Sequence, residues 1–183
     1  FSAIIFLFSF LSLAGDLKKG LDADISGDYS TAIKEWTPFA KQGHVKAQYN
    51  LGLLYHNGEG IIQDYKQAIK WYIAAAKQGH DIAQYSLGQL YRKGEGVIQD
   101  YKEAAKWYML SAKQGNAFSQ GHLGFMYDHG YGFTEDNQKA FEWYTLASDQ
   151  GNAQAQRNLG MMYRKGDGIV QDYDRAIQLF VLA

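Results

Sequence analysis

One spacing recurs along most of this chain: identical residues return every 36 positions. The clearest column is aspartate, at Asp28, Asp64, Asp100, Asp136 and Asp172. An alanine follows each of these aspartates four positions later. A strict period of this length is typical of a solenoid, in which each unit buries its apolar face against its neighbours.

The glycines follow the same period. The chain has 20 Gly, a content that would destabilise a helical protein if most of them lay inside helices. Sixteen of them fall into four columns, which the second unit shows as Gly79, Gly88, Gly94 and Gly96. Three of these columns predict turns. The Gly88 column lies inside a predicted helix, and its recurrence indicates a helix crossing with no room for a side chain.

Each unit has the pattern of two helices. In the second unit, Asp64 is placed to cap a first helix, and Ala68, Trp71 and Tyr72 lie on its apolar face. A second helix is predicted from about Asp81, after the Gly79 turn. The predicted fold class is therefore all-α, an α-solenoid of short antiparallel helix pairs with a 36-residue repeat.

The period divides the chain into units. Residues 15–27 are predicted to form a degenerate N-terminal half-repeat, because terminal repeats are usually atypical. Apolar residues near the C-terminus, such as Ile177 and Phe180, would lack a partner helix, so we expect the natural protein to continue beyond Ala183. The predicted repeats are 28–63, 64–99, 100–135, 136–171 and the start of a truncated fifth at 172–183.

The first 14 residues have a different character. Phe1–Ala14 is an apolar run of the length found in secretory signal peptides, and Ser12-Leu13-Ala14 has the small–x–small form of a cleavage site. The usual Met and basic residues are absent, so we expect the start of the segment to be missing. The alternative is an uncleaved signal anchor, the one arrangement in which we expect membrane contact. Both alternatives predict an exported protein, periplasmic or secreted.

The repeated unit resembles a known family. Its motifs are Asp-Tyr-x-x-Ala-x-x-Trp-Tyr, Ala-x-Gln-Gly, Ala-Gln-x-x-Leu-Gly-x-x-Tyr and Gly-x-Gly-Val-x-Gln, and together they resemble the Sel-one-like repeat, a relative of the tetratricopeptide repeat. The resemblance covers residues 28–183. It implies a right-handed solenoid with a concave groove and a role as an adaptor for protein partners. It also implies that exported bacterial members are linked to the cell envelope.

Composition and motifs argue against several other classes of function. The formal net charge is −1, whereas a nucleic-acid binder usually carries a basic face, so no nucleic-acid partner is expected. The chain has no Cys, and its five His show no metal-ligand spacing, so no metal site is expected. The Gly-x-Gly turns lack the strand and further residues of a phosphate loop. No cofactor is expected either.

We find no catalytic constellation in the sequence. Glu59, Glu95, Glu135 and Asp167 lie in predicted loops, and the aspartate column is explained by helix capping. No Ser lies in a nucleophile elbow. Trp71, Trp107 and Trp143 are expected to pack in the core, because they share a helical face with the repeated Ala and Tyr. Cys-rich members of the resembled family are linked to β-lactam binding or hydrolysis. Because this chain has no Cys, the resemblance implies that activity here only weakly.

Residues that vary between units are the candidates for binding a partner. The two positions after Trp-Tyr are Ile73-Ala74, Met109-Leu110 and Thr145-Leu146. If exposed, they would form an apolar strip in the groove; the alternative is packing against the neighbouring unit. We call this set the first-helix strip, and its predicted partner-binding residues are Lys70, Ile73, Lys106, Met109, Leu110, Glu142 and Leu146.

The functional prediction is an exported, non-enzymatic scaffold that binds a peptide or protein segment on the concave face. Two alternatives remain open at this point. One is an envelope enzyme that hydrolyses β-lactam or cell-wall material. The other is a repeat spacer in a larger envelope protein.

Overall fold

The computed structural model describes residues 17–183, and the predicted signal segment 1–14 lies outside them. Within the described residues the regular secondary structure is entirely α-helical. The helices are α1 (17–25), α2 (Tyr29–Lys41), α3 (Val45–Asn57), α4 (Tyr65–Lys77), α5 (Asp81–Lys93), α6 (Tyr101–Lys113), α7 (Ala117–Asp128), α8 (Asn137–Asp149), α9 (Ala153–Lys165) and α10 (Tyr173–Leu182). The all-α solenoid of antiparallel helix pairs is confirmed. The repeat boundaries proposed above stay a prediction.

The described residues form two compact units, one that ends at residue 83 and one that spans residues 84–183. In the first unit α2 packs on α3, and α3 packs on α4. In the second unit each helix from α6 to α10 packs on the next one along the chain. Each helix therefore buries its apolar face against neighbours in sequence, as a repeat architecture requires.

Capping residues begin the first helix of each repeat. The side chain of Asp100 accepts hydrogen bonds from the backbone N–H groups at the start of α6, and the four other aspartates of the column cap their helices in the same way. His44 and His80 cap the second helices, because their Nδ1 atoms accept from backbone N–H groups. Asn116 and Asn152 make this contact through Oδ1. The two histidines thus have a local structural role.

Close helix crossings explain the glycine column inside the second helices. A Cβ atom added at Gly88 would lie 2.5 Å from the ring of Tyr108, and one added at Gly124 would lie 2.5 Å from the ring of Tyr144. Ordinary carbon–carbon contacts are about 3.5–4.0 Å. The predicted crossing with no room for a side chain is therefore confirmed.

Tyrosine occupies the centre of the core in the second, third and fourth repeats, and the buried Trp36 has the equivalent place in the first. Tyr72, Tyr108 and Tyr144 are among the largest fully buried side chains. The tryptophans that precede them in the sequence are only partly buried. Trp71 and Trp143 still pack against buried clusters, so the expected core packing of the Trp column is met in part. A shift of one residue rotates a helical side chain by about 100°, which leaves the tryptophans less covered than the tyrosines.

Glutamine side chains join the first helix of one repeat to the second helix of the previous one. In the second unit, Gln120 Nε2 donates to the carbonyl oxygen of Ala112 and its Oε1 accepts from Gln150 Nε2 at 2.7 Å. The pair Gln84–Gln114 has the same Oε1–Nε2 contact at 2.7 Å, and Gln48–Gln78 in the first unit has it at 2.8 Å. Gln48, Gln84 and Gln120 are buried, and each has its Oε1 satisfied by the exposed glutamine of the next first helix, which fixes the register of neighbouring helices.

Candidate functional site

The first-helix strip has its most exposed apolar residues in the second unit. Leu110 on α6 and Leu146 on α8 lie at equivalent positions 36 residues apart. Their side chains are 47% and 48% exposed. Both are large aliphatic side chains whose burial by a partner would be favourable.

The other apolar column of the strip is less accessible. Ile73, Met109 and Thr145 occupy equivalent positions, and all three are half-buried. Met109 packs against the buried cluster that contains Tyr108 and Leu123. Substituting this column would perturb the fold as well as any binding surface, so Leu110 and Leu146 are the better positions for a test.

The charged residues of the strip are exposed and interact with neighbours on their own helices. Lys106 Nζ lies 2.6 Å from Glu103 Oε2, an ion pair with i, i+3 spacing on α6 that raises the pKa of Lys106. Lys70 Nζ lies 5.7 Å from the ring centre of Trp71. Glu142 Oε1 is 3.5 Å from Gln138 Nε2. Exposed contacts of this kind are weak, so the groups remain available to a partner.

Two neighbouring groups in the second unit, His122 and Tyr108, have strongly shifted pKa values, as has the buried Tyr144. Burial, together with the nearby Arg92 guanidinium, lowers the pKa of His122 to about 4. Burial also raises the pKa of Tyr108, whose hydroxyl donates to Gln89 Oε1 at 3.0 Å. Both groups are therefore neutral at pH 7, and neither is paired with a second titratable group in the manner of an acid–base dyad.

The Gly-x-Gly segments are turns between repeats. Gly94 and Gly96 have φ values of +75° and +74°, and the Gly94 N–H donates to the carbonyl oxygen of Leu90. Left-handed backbone of this kind closes the second helix. Across residues 17–183 no cluster of three or more His, Cys, Asp or Glu side chains is arranged to hold a metal ion. In the same residues no helix has the length and apolarity needed to span a membrane.

The family model for the Sel1 repeat matches residues 45–80, 81–116, 117–152 and 153–183, about three quarters of the chain. The chain belongs to the Sel1 repeat family. Proteins of this family generally act as protein-interaction scaffolds and are typically non-enzymatic. The first three family units have the 36-residue length predicted from the aspartate column, and all four begin at the second helix of a pair.

Two solved structures are similar to this Sel1 repeat chain. One is a protective antigen of uropathogenic Escherichia coli with an SLR fold, at 35% identity and a TM-score of 0.88 over 93% of this chain and 37% of that one. The other is a Sel1 repeat protein from Oxalobacter formigenes, at 36% identity and a TM-score of 0.81 over 84% of this chain and 63% of that one. The chain thus spans less than two thirds of either relative. A comparison with curated proteins found no match.

A third structure shows the fold alone. Cysteine-rich protein B of Helicobacter pylori has 18% identity to this chain and a TM-score of 0.54, over 68% of this chain and 92% of that one. Helical repeats of this type thus fold both with a cysteine-rich sequence and with one that has no Cys.

Reasoning from the sequence missed a second surface feature, a cavity between α5, α7 and α9 in the second unit. Its sequence signal is Gly121, a glycine outside the four repeated columns. Tyr49 and Tyr85 occupy the equivalent position in the two preceding repeats. A glycine inside a helix, at a position where the preceding repeats have a large side chain, indicates a space at that position.

Proposed function

We propose that this chain is a non-enzymatic scaffold that holds an extended peptide or protein segment along the first-helix strip, on the concave face that the family resemblance implies. The observation that carries the proposal is the half-exposed pair Leu110 and Leu146, at equivalent positions on α6 and α8. Two aliphatic side chains presented by successive repeats can each contact one residue of a bound segment. Affinity would come from several such contacts rather than from one deep pocket.

The charges around this pair support a partner of mixed polarity. Lys106 and Glu142 occupy equivalent positions on α6 and α8, and both are exposed. They carry opposite charge, so the rim of the strip changes sign between the third and the fourth repeat. Such a rim favours one direction and register of the bound segment more than it adds affinity.

The proposal includes export. Phe1–Ala14 is the sequence that supports it, as a signal peptide that is removed or retained as an anchor. Fusing the natural N-terminal region to a reporter enzyme that folds only outside the cytoplasm tests this part. Reporter activity that is lost on placing Arg at Ile5 and Leu7 supports export, and a reporter that stays inactive contradicts it.

A peptide-display selection against the immobilised chain tests the binding site. Enriched peptides would be titrated by fluorescence anisotropy against the wild type and a Leu110→Glu/Leu146→Glu variant. Because each substitution removes an aliphatic contact and adds a charge at the interface, we expect affinity to fall by about tenfold or more.

A matched control carries the same charge change elsewhere. Ile98 and Val170 lie in turns between repeats and are 91% and 87% exposed. The variant Ile98→Glu/Val170→Glu should bind like the wild type. If the affinity for the selected peptides falls equally in both variants, or in neither, the assignment of the first-helix strip as the binding site is contradicted. Turnover of a β-lactam or cell-wall reporter by the purified chain would contradict the non-enzymatic part of the proposal.

A further inference from the structure

The cavity between α5, α7 and α9 has a volume of about 280 Å³, near the lower end of ligand-binding sites. A space of this size accommodates one ring-bearing group rather than a long ligand. It lies on the second helices of the repeats, whereas the first-helix strip lies on the first helices. Its principal lining residues are Arg92, Phe118, Gly121, His122, Phe125 and Asn158.

Gly121 opens this cavity. A Cβ atom added there would come no closer than 3.6 Å to any atom of the neighbouring elements, so no helix crossing requires a glycine at this place. A helix-interior glycine costs about 1 kcal/mol relative to alanine. Where Tyr85 fills the equivalent position one repeat earlier, Gly121 leaves a space.

Aromatic rings form the walls. The Phe118 side chain is 62% exposed, and its ring centre lies 5.9 Å from that of Tyr85. The imidazole of His122 stacks on Tyr108 at 4.9 Å and on Tyr85 at 5.9 Å. These contacts hold the walls in place, so an aromatic ligand would meet preorganised ring faces and edges.

The cavity has a single positive charge. Of its described lining residues only Arg92 is charged at pH 7, since burial keeps the His122 imidazole neutral. The Nε and Nη2 groups of Arg92 donate to Gln89 Oε1 at 3.1 and 2.8 Å, which fixes the guanidinium. Within residues 17–183 no carboxylate forms an ion pair with it. Its remaining N–H donors are suited to a carboxylate.

We propose that this cavity binds an aromatic ring that carries a carboxylate close by, with the ring against Phe118 and Phe125 and the carboxylate on Arg92. The ligand is either a free aromatic acid or an aromatic residue of a bound partner with an acidic residue next to it. The site is independent of the first-helix strip, so either proposal can fail without the other.

Amide chemical shifts in two-dimensional NMR spectra test the proposal with four probes. The acids are 3-phenylpropionate and N-acetyl-Phe-Asp-amide, and their neutral counterparts are 3-phenylpropionamide and N-acetyl-Phe-Asn-amide. We expect at least one acid to shift the Gly121 and Phe125 signals, and its neutral counterpart to bind about tenfold more weakly or worse. Binding of the free acid alone identifies a small molecule as the ligand source, and binding of the peptide identifies a partner segment. Binding of neither acid, or equal binding of the neutral probes, overturns the proposal.

Two variants locate the binding, and the repeat supplies a matched control for each. Gly121→Tyr should abolish binding, while Arg157→Tyr, at the equivalent position one repeat later, should not change it. Arg92→Gln should weaken acid binding about tenfold, while Arg164→Gln, two repeats later, should not. Arg92→Gln keeps the test valid if Gly121→Tyr does not fold. Unchanged binding in folded Gly121→Tyr or in Arg92→Gln would overturn the proposal.

Discussion

Two glycines in α7 allow the cost of a close helix crossing to be measured against an internal control. Gly124 lies at the crossing with α8, and Gly121 lies one turn earlier, where an added Cβ would meet Asn152 only at ordinary contact distances of 3.6 Å or more. Both are interior helix positions, so replacing either by alanine brings the same gain of about 1 kcal/mol in helix propensity. Any difference between Gly124→Ala and Gly121→Ala in the free energy of unfolding therefore reports packing alone.

The structure sets the size of that difference. The new Cβ in Gly124→Ala would lie 2.5 Å from Cδ1 and 2.7 Å from Cε1 of Tyr144, about 1 Å inside an ordinary contact. The Tyr144 side chain is fully buried and cannot swing aside. Overpacking typically costs about 1–3 kcal/mol, and this site belongs at the upper end. We expect Gly124→Ala to be destabilised by about 2 kcal/mol net and Gly121→Ala to be stabilised by up to about 1 kcal/mol.

Urea unfolding followed by far-UV circular dichroism measures both values. The denaturant slope should stay the same in the two variants, because neither changes the surface exposed on unfolding. Equal stability of the two variants, within about 0.5 kcal/mol, would refute the assignment of the glycine column to the crossing.

Three further expectations concern single side chains. The pKa of His122 is lowered from 6.5 to about 4 in the folded chain. Its contribution to the stability of the fold is therefore fully present above pH 6.5 and is lost as the pH falls towards 4. By pH 4.5 the free energy of unfolding, measured with urea, should have fallen by about 2 kcal/mol for this reason. The variant His122→Asn, which introduces the residue found at the equivalent Asn158, should lose that part of the pH dependence. Gln150→Leu leaves the buried Gln120 Oε1 without its donor and should cost about 1–3 kcal/mol, measured by urea unfolding. Asp100→Ala removes the cap of α6 and should cost about 1 kcal/mol in the same assay, with Asp100→Asn close to the wild type.

Much of the repeat architecture could be predicted from local spacing. The aspartate caps and the glycine turns depend on the chain within a few residues, so a 36-residue period of such signals predicts the helix boundaries closely. Asp81 was predicted to begin α5, and it does. The crossing at Gly88 was also predictable, because a costly residue that recurs inside a helix needs a packing reason.

The candidate sites depend on how far each side chain is covered by neighbouring helices. Ile73, Met109 and Leu110 have the same apolar character in sequence, yet Leu110 is about half exposed and the other two are more buried. Adjacent positions on a helix point about 100° apart, so their side chains differ in exposure. Which of them is covered depends on where the neighbouring helix lies, and only the packed structure shows that. Sequence spacing could therefore propose the strip but not select its accessible residues.

The sequence by itself determined the period, the helix pairs, their caps and the family, because these follow from interactions close along the chain. Only the tertiary structure decided that Tyr72, Tyr108 and Tyr144 are more deeply buried than the tryptophans before them, that Gln120 pairs with Gln150, and that the absence of a side chain at Gly121 leaves a cavity beside Arg92. Each of these depends on atoms of separate helices meeting within a few ångströms. The tyrosines and glutamines do recur with the 36-residue period, but spacing alone does not show which side chains meet, because that is set by packing across the repeats.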